Sequence, residues 1–411
     1  MIFDIKCDLD DIDNILLSMR FNIKDDDCPE EPLKEYGFSD ILNIHRNKID
    51  KINTNLWKKV RWYINDYDFL VKDPIINRAF YKYWEIINVF DVFRDYTEND
   101  IIFHCAEAPG GFIQGSNIYL QLENDYKQIE IKEPLIDKDG FTRVQKKKRK
   151  NNNKKYKIYT ISLNKDLPQY RSYNLPSYNK CVINKNVCVT YGKNNTGDIN
   201  NLDNIHYVSH LVGDDGCYLV TADGGFDEGT DFNNKEQLHY YLILNEIYAN
   251  ICLQKINGIF ILKVFDIFTD TSIHLLYLLN LIYKEIYVYK PKTSRPTNSE
   301  KYIICKHLML QDKTHVLNIL KQLSEKFKIQ KKYMSFTLFD SISQRFIDNI
   351  KHMNITLLNV QCDFLKRAIE LCEDETFIKN YDAALEVSLD MRRQVFKKWE
   401  KMYNLSCYIP H

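Results

Sequence analysis

Two lysines and two carboxylates in this sequence lie beside the predicted ends of buried strands or on a neighbouring helix. Lys263 follows the apolar run at 258–262, and a lysine at the edge of a buried strand is costly unless its charge has a partner or a chemical task. Asp223 follows another apolar run, and Glu300 precedes a third. With Lys82 from the upstream helix, these groups predict a compact cluster of alternating charges, formed either by structural ion pairs or by reacting groups.

A glycine-containing turn, AEAPGGF at 106–112, follows the apolar run IIFHC at 101–105. A residue without a side chain lets a ligand lie against the main chain, so Gly110 and Gly111 favour a binding turn at a strand end. The spacing is not the GxGxxG of dinucleotide-binding loops. Alone, this motif is equally typical of an ordinary tight turn, but Asp223 precedes a second glycine pair.

The elements that must position these residues alternate along the chain. Apolar, mostly β-branched segments predict strands at 101–105, 159–163, 187–191, 217–223, 258–265, 285–291 and 302–308. Helical spacing of apolar residues predicts helices near 76–90, 236–256 and 272–284. Such alternation favours an α/β fold with a mostly parallel sheet covered on both faces, in which ligands bind at the carboxyl ends of the strands.

Three segments follow from this pattern. We expect an N-terminal extension over 1–74, a sheet domain over 75–310 and a helical C-terminal region over 311–411. The extension shows no recognisable chemistry. A basic, polar run at 145–157 predicts a solvated loop, although an arm that attracts RNA stays an alternative.

The composition restricts the class of protein. The 411 residues include 56 Lys+Arg and 56 Asp+Glu, so a polyanionic partner must meet a local basic surface rather than a net positive charge. With 45% hydrophobic and 27% charged residues the chain is typical of a globular protein. Its 11 cysteines form no CxxC pair, which favours reduced thiols and no metal site. We expect no membrane partner, because no apolar run approaches the roughly 20 residues of a membrane helix.

The order of several motifs resembles the FtsJ-like methyltransferases. These motifs are RAFYK, AEAPGGF, GDI, TADGG, LKVFD and KPKTSRPTNSEKYIICK, within residues 75–308. The segment from KPKTS is most similar to the branch that makes the cap-1 structure of messenger RNA. The resemblance implies a Rossmann-like methyltransferase sheet, S-adenosylmethionine as cofactor and methylation of a ribose 2′-hydroxyl.

The resemblance also implies a role for individual residues. Lys82, Asp223, Lys263 and Glu300 would form the catalytic tetrad, with Lys263 as general base because burial and nearby Lys82 lower its pKa. The cofactor would be bound by Ala108, Pro109, Gly110, Gly111, Phe112, Asp198 and Asp223. The RNA would be bound by Asn77, Arg78, Asn233, Lys290, Lys292, Arg295 and Asn298. The acidic residue expected at the ribose of the cofactor is left unassigned.

Two other functions fit the same motifs. The same tetrad would serve a ribosomal or other RNA 2′-O-methyltransferase, and the fold would serve an inactive RNA-binding scaffold. For the capping enzyme, the implied partners are capped RNA and other capping or transcription proteins. We expect a cytoplasmic location, a viral factory or virion if the source is a large DNA virus, and nuclear import only if KKKRK at 146–150 acts as a signal.

Overall fold

The computed structural model describes residues 1–24, 29–33, 40–68, 74–130, 156–225, 234–329 and 333–405. The strands in these ranges are β1 Ile2–Asp4, β2 Asn22–Lys24, β3 Ile101–Cys105, β4 Lys157–Ile161, β5 Val187–Thr190, β6 Cys217–Ala222, β7 Gln254–Val264, β8 Tyr283–Tyr289, β9 Lys301–Leu308 and β10 Ser335–Thr337. The helices are α1 Ile12–Leu17, α2 Asp40–Ile49, α3 Thr54–Tyr63, α4 Ala79–Val89, α5 Gly111–Glu130, α6 Leu202–Val212, α7 Lys235–Leu238, α8 Tyr240–Leu253, α9 Asp270–Ile282, α10 Thr314–Phe327, α11 Gln344–Glu373, α12 Glu375–Lys379 and α13 Tyr381–Met402.

Eight strands form one mixed sheet in the order β1-β8-β9-β7-β6-β3-β4-β5. Strands β7, β6, β3, β4 and β5 run parallel to one another, whereas β9, β8 and β1 continue the sheet with antiparallel pairings. The predicted α/β fold is therefore confirmed. The sheet is parallel over five strands and antiparallel over its last three because β9 follows β8 directly and reverses its direction.

Helices cover both faces of this sheet. Every residue of β3 is buried, as a central parallel strand requires. Its side chains alternate, so Phe103 packs into a core with α6, α8 and α9, while Ile102 packs into a second core with α4 and α5. The apolar runs therefore form strands, because the side chains on both faces of each strand are buried. Polar residues follow at their carboxyl ends.

The terminal segments pack onto the sheet domain. The N-terminal strand β1 adds to the sheet edge beside β8, and β2 pairs with β10 of the C-terminal region. The long helix α11 packs against α2 and α3. Helix α13 lies against α4, where the Trp84 indole donates to the carbonyl of Tyr403 at 3.0 Å. Segments from both termini therefore help to shape the surroundings of the sheet.

Two kinds of feature are missing from the described ranges. None of their helices has the length and apolar character needed to cross a membrane. Nor do their histidines, cysteines and carboxylates assemble into a group that could hold a metal ion.

Candidate active site

The four predicted reacting groups meet at one edge of the sheet. Asp223 follows β6, Lys263 is the next-to-last residue of the adjacent parallel strand β7, and Glu300 precedes β9. Because β9 runs antiparallel to β7, its amino end lies at the same edge as their carboxyl ends. The Lys82 amine on α4 lies 2.7 Å from Glu300 Oε1, and the Lys263 amine lies 3.3 Å from Asp223 Oδ1. The predicted cluster is therefore formed in space.

Lys263 is held in its charged form by this arrangement. Burial alone lowers the pKa of a lysine, but the carboxylates of Asp223, Glu300 and Glu246 outweigh burial and raise the pKa of Lys263 above its usual value. Its amine also donates to the carbonyl oxygen of Asp223 at 2.7 Å. The expectation that burial and Lys82 lower this pKa is therefore wrong, because Lys82 is paired with Glu300 and three carboxylates face Lys263.

Glu300 is the most strongly compensated carboxylate of the site. Burial raises the pKa of a carboxyl group, but the amines of Lys82, Lys263 and Lys290 together hold the pKa of Glu300 well below its usual range. The Ser294 hydroxyl donates to Glu300 Oε1 at 3.0 Å. Glu300 therefore stays ionised and links the positive groups of three different segments.

Asp223 and its glycine turn are held by two further side chains. The Tyr302 hydroxyl donates to Asp223 Oδ1 at 3.0 Å, and the Gly224 N–H donates to Glu246 Oε1 at 3.1 Å. Burial raises the pKa of Glu246 to about 8, although Lys263 opposes this shift. The sequence analysis missed Glu246, whose signal is a lone carboxylate within the apolar helix α8.

The glycines of AEAPGGF are required by close packing. Gly110 has a φ of +112°, and a Cβ on it would lie 2.7 Å from the side chain of Val182. A Cβ on Gly111 would lie 2.3 Å from Asn77 Oδ1 and 2.8 Å from the backbone nitrogen of Phe80. The start of α5 therefore lies directly against the start of α4, which places the turn beside the helix that carries Lys82.

Glu107 in the same motif was missed as a site residue. Its Oε1 accepts the Phe112 N–H at 2.6 Å, while its buried Oε2 lacks a hydrogen-bond partner among the described residues. Burial, followed by the nearby Asp223 carboxylate, raises the pKa of Glu107 well above its usual value. Two neighbouring carboxyl groups, one of which has an unsatisfied oxygen, fit a positively charged ligand, such as one carrying an amino group and a sulfonium. An acidic residue two positions after a buried strand was the available signal.

The turns after β3, β4 and β5 meet at Ser162. The Ala108 N–H donates to Ser162 Oγ at 2.9 Å, and a Cβ on Gly197 would lie 1.8 Å from the Ser162 carbonyl oxygen. Next to Gly197, Asp198 is half-buried; its Oδ1 accepts the Asn200 N–H at 2.9 Å, and burial raises its pKa. Ser162, which follows β4, therefore brings together the predicted cofactor residues of the turns after β3 and β5.

Gly197→Ala is expected to destabilise the protein much more than Gly213→Ala. Both glycines have a positive φ, +70° and +83°, and backbone of this kind costs an alanine about 1 to 3 kcal/mol. Only Gly197 meets backbone, since nothing lies within 4 Å of a Cβ on Gly213. We expect Gly197→Ala to cost about 3 kcal/mol or more in unfolding free energy, measured by urea denaturation, because the clash with the Ser162 carbonyl adds to the cost of the positive φ. Equal costs for both variants would contradict the tight junction at Ser162.

Several predicted RNA-binding residues instead fix the backbone near the tetrad. Arg78 pairs with Asp68 and donates to the Thr293 carbonyl at 2.7 Å, and Arg295 also pairs with Asp68, at 3.1 Å. Asn77 Oδ1 accepts the Phe80 N–H at 3.4 Å, at the start of α4. These contacts favour a positioning role for Asn77 and Arg78.

The loop before Glu300 folds over Lys290. The Lys290 amine donates to the carbonyls of Asn298 and Glu300, and burial lowers its pKa to about 7. Asn298 Oδ1 accepts the Glu300 N–H at 2.9 Å. Lys292 is exposed and leaves its charge open to a ligand. The remaining predicted residue, Asn233, lies outside the described residues, as do the basic residues 146–150.

Glu85 ties this loop to α4. Its carboxylate accepts the backbone N–H groups of Lys292 and Thr293, both at 2.8 Å, the Tyr289 hydroxyl at 2.8 Å and the Trp399 indole at 2.9 Å. A buried carboxylate with four donors is fully compensated. Glu85 therefore fixes the loop that leads to Glu300 relative to the helix that carries Lys82.

The chain is similar to proteins from several species that are named cap-specific methyltransferases. It is 32% identical over 222 residues to the cap-specific mRNA (nucleoside-2′-O-)-methyltransferase 1 of Caenorhabditis elegans, covering 51% of this chain and 24% of that protein. It is 41% identical over 117 residues to the enzyme of the same name from Trypanosoma cruzi, covering 28% and 32% of the two chains. It is also 29% identical over 222 residues to the inactive cap-specific mRNA (nucleoside-2′-O-)-methyltransferase 1B of Caenorhabditis briggsae, covering 51% and 26%.

The match to a family extends over most of the described site. The chain aligns with about a quarter to a third of the length of these relatives. The model of the FtsJ-like methyltransferase family matches residues 75–308, which include the α4 helix, the glycine turn and all four charged groups of the sheet edge. Because this match covers more than half of the chain, the protein belongs to the FtsJ-like methyltransferase family.

Proposed function

We propose that the protein transfers a methyl group from S-adenosylmethionine to the ribose 2′-hydroxyl of the first nucleotide of capped messenger RNA. The observation that carries this proposal is the cluster of two lysines and two carboxylates at the open sheet edge, with Lys82 paired to Glu300 and Lys263 paired to Asp223. The choice of capped RNA is supported by the relatives that are named cap-specific methyltransferases.

Lys263 is the general base in this proposal. A ribose hydroxyl is a weak nucleophile, so a positioned group must take its proton while the oxygen attacks the methyl carbon in line with the leaving sulfur. Asp223 and Glu300 orient the amines, and Lys82 keeps Glu300 ionised. The amine of Lys263 must lose its proton before it can act, and the carboxylates that raise its pKa oppose this loss.

The turns that meet at Ser162 form the proposed binding site of the methyl donor. The donor supplies an electrophilic methyl group on a positively charged sulfur. Ala108, Pro109, Gly110, Gly111 and Phe112 would lie along its methionine portion, and Asp198 would accept a hydrogen bond from its adenine amine. Asp223 and the unsatisfied oxygen of Glu107 would face its positive charges.

Two alternatives differ in what the protein would do with RNA. A methyltransferase for ribosomal or other RNA would use the same four groups on an uncapped substrate. An inactive scaffold is a real alternative, since one relative of comparable similarity is named inactive. The complete and ion-paired set of four groups favours an active enzyme, because a protein that only binds RNA gains nothing from burying Lys263.

The test is methyl transfer from labelled S-adenosylmethionine to matched RNAs. Capped RNA, the same RNA without a cap and ribosomal RNA are incubated separately with the protein. We expect transfer to capped RNA alone, located on the first nucleotide by nuclease digestion. Equal transfer to uncapped RNA would exclude cap specificity, and transfer to none would exclude an active enzyme. Association with other capping or transcription proteins and a cytoplasmic location stay predictions.

A further inference from the structure

A cavity lies between the N-terminal helices and the loop that precedes Glu300. It has a volume of about 460 Å³ and is lined by α2, α3, α7, α11 and residues 295–299. Helices α2 and α3 lie outside the segment that matches the family model. We call this cavity the basic cleft, after its five lining cations Arg46, Lys58, Arg61, Lys235 and Arg295.

The positive charge of the basic cleft is only partly neutralised. Arg46 pairs with Asp266 at 2.7 Å, and Arg295 pairs with Asp68. No described carboxylate forms an ion pair with Arg61. Of the described residues that line the cleft, Asp50 alone carries a carboxylate. The cleft therefore keeps an excess of positive charge.

Arg61 and Arg295 line the cleft from different segments. Burial, followed by the nearby positive charge of Arg295, lowers the pKa of the Arg61 guanidinium. Lys58 lies one helical turn before Arg61 on α3 and is exposed, so both side chains are on the same side of the helix. Like charges held close together in a concave site are stabilised when an anion binds between them.

Two contacts place the basic cleft near the four charged groups of the sheet edge. Lys235 of the cleft lies 3.7 Å from the centre of the Phe265 ring, and the Lys263 amine lies 5.9 Å from the same ring. On the other wall, Thr297, Asn298 and Ser299 line the cleft and lead directly to Glu300. The cleft therefore lies one residue along the chain from Glu300, on the side of Ser299.

We propose that the basic cleft binds the phosphates of the single-stranded RNA substrate, and that Lys58 and Arg61 of the N-terminal extension supply one wall of this site. The inference rests on the proposed function and extends it to residues outside the family match. The shared chemistry is a row of phosphate groups, either the triphosphate bridge of a cap or the phosphodiesters that follow it. Phosphate contacts of this kind bind without regard to base identity.

The test measures the affinity of the full chain for fluorescein-labelled single-stranded RNA by anisotropy at several KCl concentrations. One RNA carries a 5′ cap and the other a 5′-hydroxyl. The variants are Lys58→Glu and Arg61→Gln, and the matched control is Lys321→Glu, an exposed lysine on α10 that does not line the cleft. We expect each cleft variant to bind about tenfold more weakly, with the slope of log K against log salt reduced by roughly 0.7 per lost phosphate contact.

Lys58→Glu decides the outcome, because the exposed position carries little risk to folding. Affinity and salt slope equal to those of Lys321→Glu would overturn the inference. A loss confined to capped RNA would identify the triphosphate bridge as the ligand, and an equal loss for both RNAs would identify the phosphodiesters. Methyl transfer by the unsubstituted protein is measured separately. Normal RNA binding without any transfer would contradict the proposed function and leave the cleft assignment intact.

Discussion

Lys263→Met is expected to abolish methyl transfer to capped RNA. Loss of a positioned general base lowers kcat by about 100-fold or more. Methionine keeps the length of the side chain without its amine, so the strand end should stay packed. Affinity for S-adenosylmethionine, measured by calorimetry, should change little, because the proposed donor site is formed mainly by the turns after β3, β4 and β5.

The transfer rate of the unsubstituted protein should rise with pH. The carboxylates around Lys263 raise its pKa, so the deprotonated amine is a small fraction at neutral pH. This fraction increases about tenfold per pH unit below the pKa, and single-turnover transfer should follow it. A rate that does not change between about pH 6 and pH 9 would contradict Lys263 as the base.

Lys255→Met is the matched control for Lys263→Met. Lys255 lies near the amino end of the same strand, β7, where it pairs with Asp100 far along the strand from the reacting groups. This variant should keep its transfer rate even if its melting temperature falls. A similar loss of transfer in both variants would mean that the effect of Lys263→Met comes from damage to β7.

Glu300→Gln is expected to cause the second large effect, a loss of both stability and activity. The substitution leaves the buried amines of Lys82, Lys263 and Lys290 without the carboxylate that compensates them. Removing one partner of a buried ion pair costs about 3 to 5 kcal/mol. Transfer should fall together with the unfolding free energy, which urea denaturation at neutral pH measures.

The cost of Glu300→Gln should depend on pH in a defined direction. The folded protein holds the pKa of Glu300 below the value of about 4.3 that the unfolded chain has. The stabilisation by Glu300 is therefore fully present above about pH 5 and is lost as the pH falls towards the folded pKa. The stability difference between the two proteins should shrink steadily below about pH 4.

Glu285→Gln provides the control for the ion pair of Glu300. Glu285 lies 3.9 Å from Lys306, and its side chain is 33% exposed, so solvent screens the pair. Such a pair contributes about 0 to 1 kcal/mol. A cost as large as that of Glu300→Gln, or a pH-independent cost at Glu300, would contradict the compensation of three amines by one buried carboxylate.

The sequence was sufficient to predict the cluster of four charged groups but not their protonation. Asp223, Lys263 and Glu300 adjoin apolar runs, and the common edge of neighbouring strands then brings them together. The pKa of Lys263 depends on Glu246, which reaches the site from the interior of α8. Helical spacing alone does not show which strand end a buried carboxylate faces, so the direction of the shift could not be predicted.

The roles of the loop cations were also beyond sequence reasoning. Lys290, Arg78 and Arg295 look like RNA-binding residues because they flank the motif. Lys290 and Arg78 donate to loop carbonyls, whereas Arg295 pairs with Asp68 and also lines the basic cleft. In the same way, Arg61 belongs to a segment without a motif and comes near Arg295 only through the fold. Both outcomes depend on tertiary contacts between segments that are distant in the chain.

The four hydrogen bonds to Glu85 have a consequence for motion. They join α4, β8, the loop before Glu300 and α13 at a single buried charge. Separating any two of these segments would leave a desolvated carboxylate or an unpaired donor, which is costly. The segments that carry Lys82 and Glu300 should therefore move together as one rigid unit. Substrates of different shape must then be accommodated by rotation of side chains. Amide hydrogen exchange at Lys292 and Thr293 should be among the slowest in any loop of the protein.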